Sequence, residues 1–168
     1  KRASIQGDSI VSKIYQKLGV ETMYKEDSII ISKNKMSNLP DSLKLDLSDT
    51  PDLAQTIAVS CLGLGIECEL SGLDTLKIKE TDRIEALKKE FIKLGVDGIT
   101  TSDNKIYFRG NQNLNNNIKI TTYQDHRMAL SFAPLAVIID ISIESPNVVS
   151  KSFPDYWEDL KTLGFKIN

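Results

Sequence analysis

Lys17-Leu18-Gly19-Val20 returns residue for residue as Lys93-Leu94-Gly95-Val96, and more loosely as Thr162-Leu163-Gly164-Phe165. Each copy closes an amphipathic helical stretch with glycine just past the last periodic residue, where helices commonly end in a left-handed residue. Strand-like segments follow. After the first copy come Glu21-Thr22-Met23-Tyr24, a turn at Lys25-Glu26-Asp27, and Ser28-Ile29-Ile30-Ile31. After the second come Asp97-Gly98-Ile99-Thr100, a turn at Ser102-Asp103-Asn104, and Lys105-Ile106-Tyr107-Phe108. Both read as β-hairpins with polar turns.

A second helix type also recurs. Residues 52–64 and 125–138 are mostly small and apolar all round, the pattern of buried helices. Alternating strands precede them at 43–47 and 118–122, and strands follow near 66–70 and 141–144. Amphipathic helices come next, at 81–94 and 153–163. This order predicts a mixed α/β chain of repeated βαβαββ-type units, about two and a half copies of a three-copy unit. The first copy lacks its buried helix and leading strand. The Asn-rich residues 111–117 read as a surface loop.

Composition narrows the classes of function. The 168 residues carry 21 Lys+Arg against 23 Asp+Glu, a net charge of −2, which argues against a generally basic nucleic-acid binder. No apolar run approaches the ~18 residues of a membrane span. Lys1-Arg2-Ala3-Ser4-Ile5-Gln6 lacks the apolar core of a signal peptide. A cytoplasmic location is therefore expected. Cys61 and Cys68 read as buried free thiols, and with His126 the only histidine a zinc site is not expected.

Four charged clusters carry the candidate chemistry, each at a strand-to-helix junction. In Asp49-Thr50-Pro51-Asp52, proline and an acidic residue mark a helix start. In Lys79-Glu80-Thr81-Asp82-Arg83, Thr81 reads as the N-cap, and Arg83 stands where the helix dipole disfavours a cation. Such local conflicts often mark functional sites. Lys88, Lys89 and Lys93 read as a solvated face. Asp125-His126-Arg127 opens the second buried helix. In Ser150-Lys151-Ser152-Phe153-Pro154-Asp155, Ser152 and Asp155 resemble a capping box. Helix N-termini with Lys79, Arg83, Arg127 and Lys151 would bind a polyanion carrying phosphate or carboxylate groups. Asp52, Glu80 and His126 would supply proton-transfer groups beside it. No Walker-type glycine loop is present.

At these motifs the sequence resembles the C-terminal part of the 5-enolpyruvylshikimate-3-phosphate synthase family. The carrying stretches are Asp49–Asp52, Leu76-Lys77-Ile78-Lys79-Glu80-Thr81-Asp82-Arg83, Tyr123-Gln124-Asp125-His126-Arg127-Met128-Ala129, and Ser150 to Tyr156, in that order. The resemblance implies transfer of the enolpyruvyl group of phosphoenolpyruvate to the 5-hydroxyl of shikimate 3-phosphate by addition and elimination, with no cofactor and no metal. It also implies a two-domain protein with each domain an inside-out α/β barrel, or prism, of three units.

Carried over motif by motif, the resemblance makes Asp52 the contact to the ring hydroxyls and the base on the attacking hydroxyl. Lys79 would bind near the same substrate, and Glu80 would move a proton at the phosphoenolpyruvate methylene. Arg83 and Arg127 would hold that substrate's carboxylate. Lys151 would bind its phosphate and assist the leaving group, with His126 an accessory catalytic group. Family members are more than twice as long as this chain. It would thus be most of a C-terminal domain, residues 1–168, inactive without its partner domain. Two other readings are a fragment of the UDP-N-acetylglucosamine enolpyruvyl transferase of cell-wall synthesis, which fits residues 79–83 and 125–128 less well, and a non-catalytic binding or scaffold domain.

Overall fold

Residues 7–34 and 38–167 are described by the structure, a computed structural model; the opening Lys1 to Gln6 lies outside them. A 3-10 turn, Gly7–Ile10, leads into helix α1, Val11–Lys17, and then into β1, Val20–Tyr24, and β2, Ile29–Lys33. These two strands form an antiparallel hairpin in the register Val20↔Lys33. Next come β3, Ser42–Asp46, the 3-10 turn Pro51–Leu53, α2, Ala54–Gly63, and β4, Glu67–Ser71. A second 3-10 turn, Asp74–Ile78, leads to α3, Arg83–Lys93, followed by β5, Thr100–Ser102, and β6, Lys105–Phe108. The last stretch comprises β7, Ile118–Ile120, α4, His126–Phe132, the 3-10 turn Ala133–Val137, β8, Ile141–Ile143, the 3-10 turn Pro146–Lys151, and α5, Tyr156–Thr162.

The glycine repeat is realised in the backbone. Gly19, Gly95 and Gly164 all take positive φ, at 79°, 86° and 97°. After α3, Gly95 N–H donates to Ile92 O and Val96 N–H to Phe91 O; Gly164 and Phe165 make the same pair of bonds after α5. This crossed pair satisfies carbonyls that a helix end leaves open. The loop 111–117 stays at the surface but is tied down, since Asn115 donates from its backbone to Leu94 O and from its side chain to Lys93 O.

Both buried helices connect parallel strands. β3 pairs with β4 across α2, and β7 pairs with β8 across α4. The hairpin β5–β6 extends the first of these sheets, giving the order β3-β4-β6-β5. One βαβαββ unit is thus complete between β3 and β6, with partial units on either side. Phe91 of α3 lies edge-on to Phe108 of β6 at 5.1 Å and to Phe132 of α4 at 6.0 Å, which joins the two units through one core. Cys61 and Cys68 are buried free thiols.

Four local expectations change. The segment 97–100 is mostly turn, because Gly98 takes φ 68° and the strand begins at Thr100. The N-cap of α3 is Asp82, not Thr81; its carboxylate accepts the Glu85 N–H at 3.0 Å. At α5, Asp155 occupies the N-cap without a side-chain cap bond, and Ser152 Oγ bonds Val149 O instead. The apolar stretch 125–138 is only half a buried α-helix. Pro134 has no N–H to give Leu130 O, the helix tightens to a 3-10 turn, and Tyr156 donates its hydroxyl to that freed carbonyl at 3.1 Å. Val137 and Ile138 beyond it are exposed.

Candidate active site

Three of the four charged clusters meet. Asp52 sits in the 3-10 turn before α2, Lys79 and Glu80 lie just ahead of α3, Arg83 is the first residue of α3, and Asp125 caps α4 by accepting the Arg127 N–H at 2.8 Å. The junctions converge because α2, α3 and α4 all start at the same end of the packed units.

Arg83 is the hub, and at 1% exposure it is buried. Its Nε donates to Asp125 Oδ2 at 2.7 Å, its Nη1 to Asp52 Oδ1 at 2.8 Å and its Nη2 to Glu80 Oε2 at 2.7 Å. The cation at a helix start is therefore held by three carboxylates, which outweighs the unfavourable dipole. Lys79 Nζ lies 3.3 Å from Asp52 Oδ1. Arg127 donates from Nη1 to Asp52 O at 2.9 Å and from Nη2 to Asp52 Oδ2 at 3.2 Å, with Asp8 a further 4.0 Å contact. Lys79, Arg83 and Arg127 are thus balanced by Asp52, Glu80 and Asp125. Partial burial alone would raise the Asp52 carboxyl pKa, but Arg127, Lys79 and Arg83 together hold it below the ordinary carboxylate range.

Lys151 and His126 stand apart from this cluster. Lys151 ends the 3-10 turn Pro146–Lys151 and lines a separate polar pocket of about 360 Å³ with Gln124, Ser145 and Asn147. Its side-chain ammonium makes no hydrogen bond or ion pair to another described residue. His126 Nδ1 comes within 3.9 Å of Asp125 Oδ1, too long for a hydrogen bond, and is half-buried.

Sequence reasoning passed over several supporting residues. Gln55 is wholly buried and its Nε2 lies 3.4 Å from Asp125 Oδ2; its Oε1 has no partner among the described residues. Its signal was a lone amide in an otherwise apolar helix. Glu90, also fully buried, lies on the stripe Ile84, Leu87, Phe91 and Leu94, one heptad after Arg83. Lys93 is no merely solvated lysine, because its Nζ is 2.8 Å from the Glu90 carboxylate and 3.0 Å from Thr121 Oγ1. Glu90 also accepts the Tyr123 hydroxyl at 2.6 Å and the Thr121 N–H at 3.1 Å. Tyr123 and Gln124 both take left-handed backbone angles, φ 52° and 59°, just before Asp125. For residues with a side chain each such angle costs on the order of 1 kcal/mol.

Residues 1–160 match the family described as EPSP synthase (3-phosphoshikimate 1-carboxyvinyltransferase). This chain belongs to the EPSP synthase family. A 3-phosphoshikimate 1-carboxyvinyltransferase of Bacteroides fragilis is 45% identical over 168 residues, covering 99% of this chain and 40% of its own length. One of Saccharolobus solfataricus is 35% identical over 164 residues, covering 96% of this chain and 38% of its own length. The chain therefore spans about two-fifths of these EPSP synthase relatives. The solved EPSP synthase of Acinetobacter baumannii shares the fold, with a TM-score of 0.71 at 21% identity over 93% of this chain and 39% of that one. Among the described residues no helix is long and apolar enough to cross a membrane, and no group of three His, Cys, Asp or Glu side chains is placed to hold a metal ion.

Proposed function

We propose that the protein containing this chain transfers the enolpyruvyl group of phosphoenolpyruvate to the 5-hydroxyl of shikimate 3-phosphate, releasing phosphate, and that this chain carries one side of the site. The observation behind this reading is the convergence of Asp52, Lys79, Glu80, Arg83 and Arg127 in one network of ion pairs running through Asp52 and Arg83, in a chain of the EPSP synthase family. A second domain of the same polypeptide supplies the other side; the chain's span of 40% of its Bacteroides fragilis relative supports this. The groove lined by Ile31, Leu64, Val137 and Ile138, about 780 Å³, supports a third helix completing an inside-out prism. The setting would be the cytoplasm.

The chemistry follows from the ion pairs. In addition, Asp52 takes the proton of the attacking hydroxyl, the new C–O bond forms at C2 of phosphoenolpyruvate, and C3 gains a proton. In elimination, the bond from C2 to the phosphate oxygen breaks, phosphate leaves, and C3 loses a proton to restore the double bond. Glu80 serves C3 in both directions. Arg83 and Arg127 hold the substrate carboxylate, and Lys151 meets the phosphate, with His126 beside them. Without substrate the cations depress Asp52 and make it a weak base. A bound anion takes up those cations, raises the Asp52 pKa and frees its oxygens. Exclusion of water on closure then strengthens every remaining contact.

Two measurements test this. Steady-state phosphate release by the isolated 168-residue chain should stay at background, and turnover well above it would contradict a half-site. Calorimetric titration of the complete protein should detect phosphoenolpyruvate and shikimate 3-phosphate. Binding of UDP-N-acetylglucosamine instead would favour the cell-wall reading, and binding of neither ligand set would favour a scaffold.

A further inference from the structure

We propose that Glu90 and Tyr123 are positioning residues that lock the Tyr123–Gln124 turn and so fix the spacing between the ion-paired cluster and the Lys151 pocket. The inference rests on the reading of the site given above.

Helix α3 grips the segment 121–127 at two points. At its first residue, Arg83 donates to Asp125. Two turns later, about 10 Å along the axis, Glu90 accepts from Thr121 N–H and the Tyr123 hydroxyl. Between the two grips lie Tyr123 and Gln124, both left-handed, a backbone that residues with side chains adopt only when the surroundings compel it. A fully buried carboxylate with three donors is such a compulsion. Its second oxygen and Lys93 keep the charge paired, so the carboxylate is not an unsatisfied burden.

The turn matters for what stands on either side of it. On one side Asp125 caps α4 and holds Arg83, which holds Asp52 and Glu80. On the other, Gln124 lines the pocket that contains Lys151. Neither Glu90 nor Tyr123 reaches the cluster itself; their effect passes through the backbone of residues 123–125. If the carboxylate and phosphate of one small substrate are to be held by Arg127 and Lys151 together, this turn sets the distance between the two grips.

Two variants in the complete enzyme polypeptide read the lock. Tyr123→Phe removes one hydroxyl and keeps the ring. Glu90→Gln keeps the shape but turns an amide NH2 toward one of the donors. For both, KM for phosphoenolpyruvate should rise about tenfold, the scale of losing one hydrogen bond to a charged group, while KM for shikimate 3-phosphate stays within twofold. Amide hydrogen exchange at residues 123–127 should speed up about tenfold, with α2 and β4 unchanged. Unaltered exchange, exchange that speeds up throughout the core, or faster local exchange with no change in the KM for phosphoenolpyruvate would overturn the proposal. If the unmodified protein has no transferase turnover, the reading of the site fails. The exchange data and calorimetric phosphoenolpyruvate binding would then still decide whether the turn is locked and whether it matters to an anion.

Discussion

The first hairpin and the second are written in the same grammar, yet only one of them is buried. β1 and β2 follow a helix closed by Gly19, as β5 and β6 follow a helix closed by Gly95. In β6, Ile106 and Phe108 are fully buried, whereas in β2 Ile31 is 71% exposed and no residue of the strand is buried. The second hairpin extends a sheet, through the pairing of β6 with β4, and packs over α3. The first pairs only with itself among the described residues. Local sequence thus specifies turn, cap and pairing, while burial depends on a leading strand and a covering helix. An isolated two-stranded hairpin is marginal in water, so the first unit gains its stability from elsewhere.

Substitutions can break or sharpen that contrast. The largest effect should come from Phe91→Ala, which removes the ring joining the units and should destabilise by about 3–5 kcal/mol in urea denaturation. Ile31→Ala, on the uncovered hairpin, should stay within about 0.5 kcal/mol; a loss comparable to that of Phe91→Ala would erase the distinction. Arg83→Met should cost about 3 kcal/mol because it strands the buried Asp125, and adding Asp125→Leu should recover part of the loss in a double-mutant cycle.

The caps allow a finer test. Gly95→Ala and Gly164→Ala impose the same left-handed penalty of about 1 kcal/mol. At Gly95 a new Cβ would also meet the Asn115 side chain at 3.0 Å, while at Gly164 it would meet nothing within 4 Å. Thermal denaturation should therefore rank Gly95→Ala as the more harmful. The smallest effect is on pH dependence. The folded Asp52 pKa lies below its ordinary value of 3.8, so the stability it contributes is present above about pH 4 and is lost as the pH falls through the lower folded value. Asp52→Asn should flatten that acid limb in pH-dependent urea titrations; an unchanged limb would mean that the carboxylate is not held by its cations.

Much of this was legible in the residues. The glycine repeat announced three helix ends, and the recurring strand–apolar helix–strand pattern announced the repeated α/β units, though not that their flanking strands pair in parallel. What stayed hidden required tertiary pairing. Arg83 at a helix start was visible as a conflict, but not the carboxylates that resolve it: Glu80 stands three residues away, while Asp52 and Asp125 come from two other parts of the chain. Glu90 hid because its position on an apolar stripe makes sense only once Thr121, Tyr123 and Lys93 surround it. Pro134 was in plain view, and the length of α4 followed from its missing N–H; the apolar run on either side masked that.

The central claim is that Asp52, among its cations, belongs to an enolpyruvyl-transfer site. Phosphate release from phosphoenolpyruvate by the complete protein, unmodified and as Asp52→Asn, tests it directly. Turnover should require shikimate 3-phosphate and should fall at least about a hundredfold in the variant, the scale of losing a positioned base. Turnover indifferent to either would contradict it.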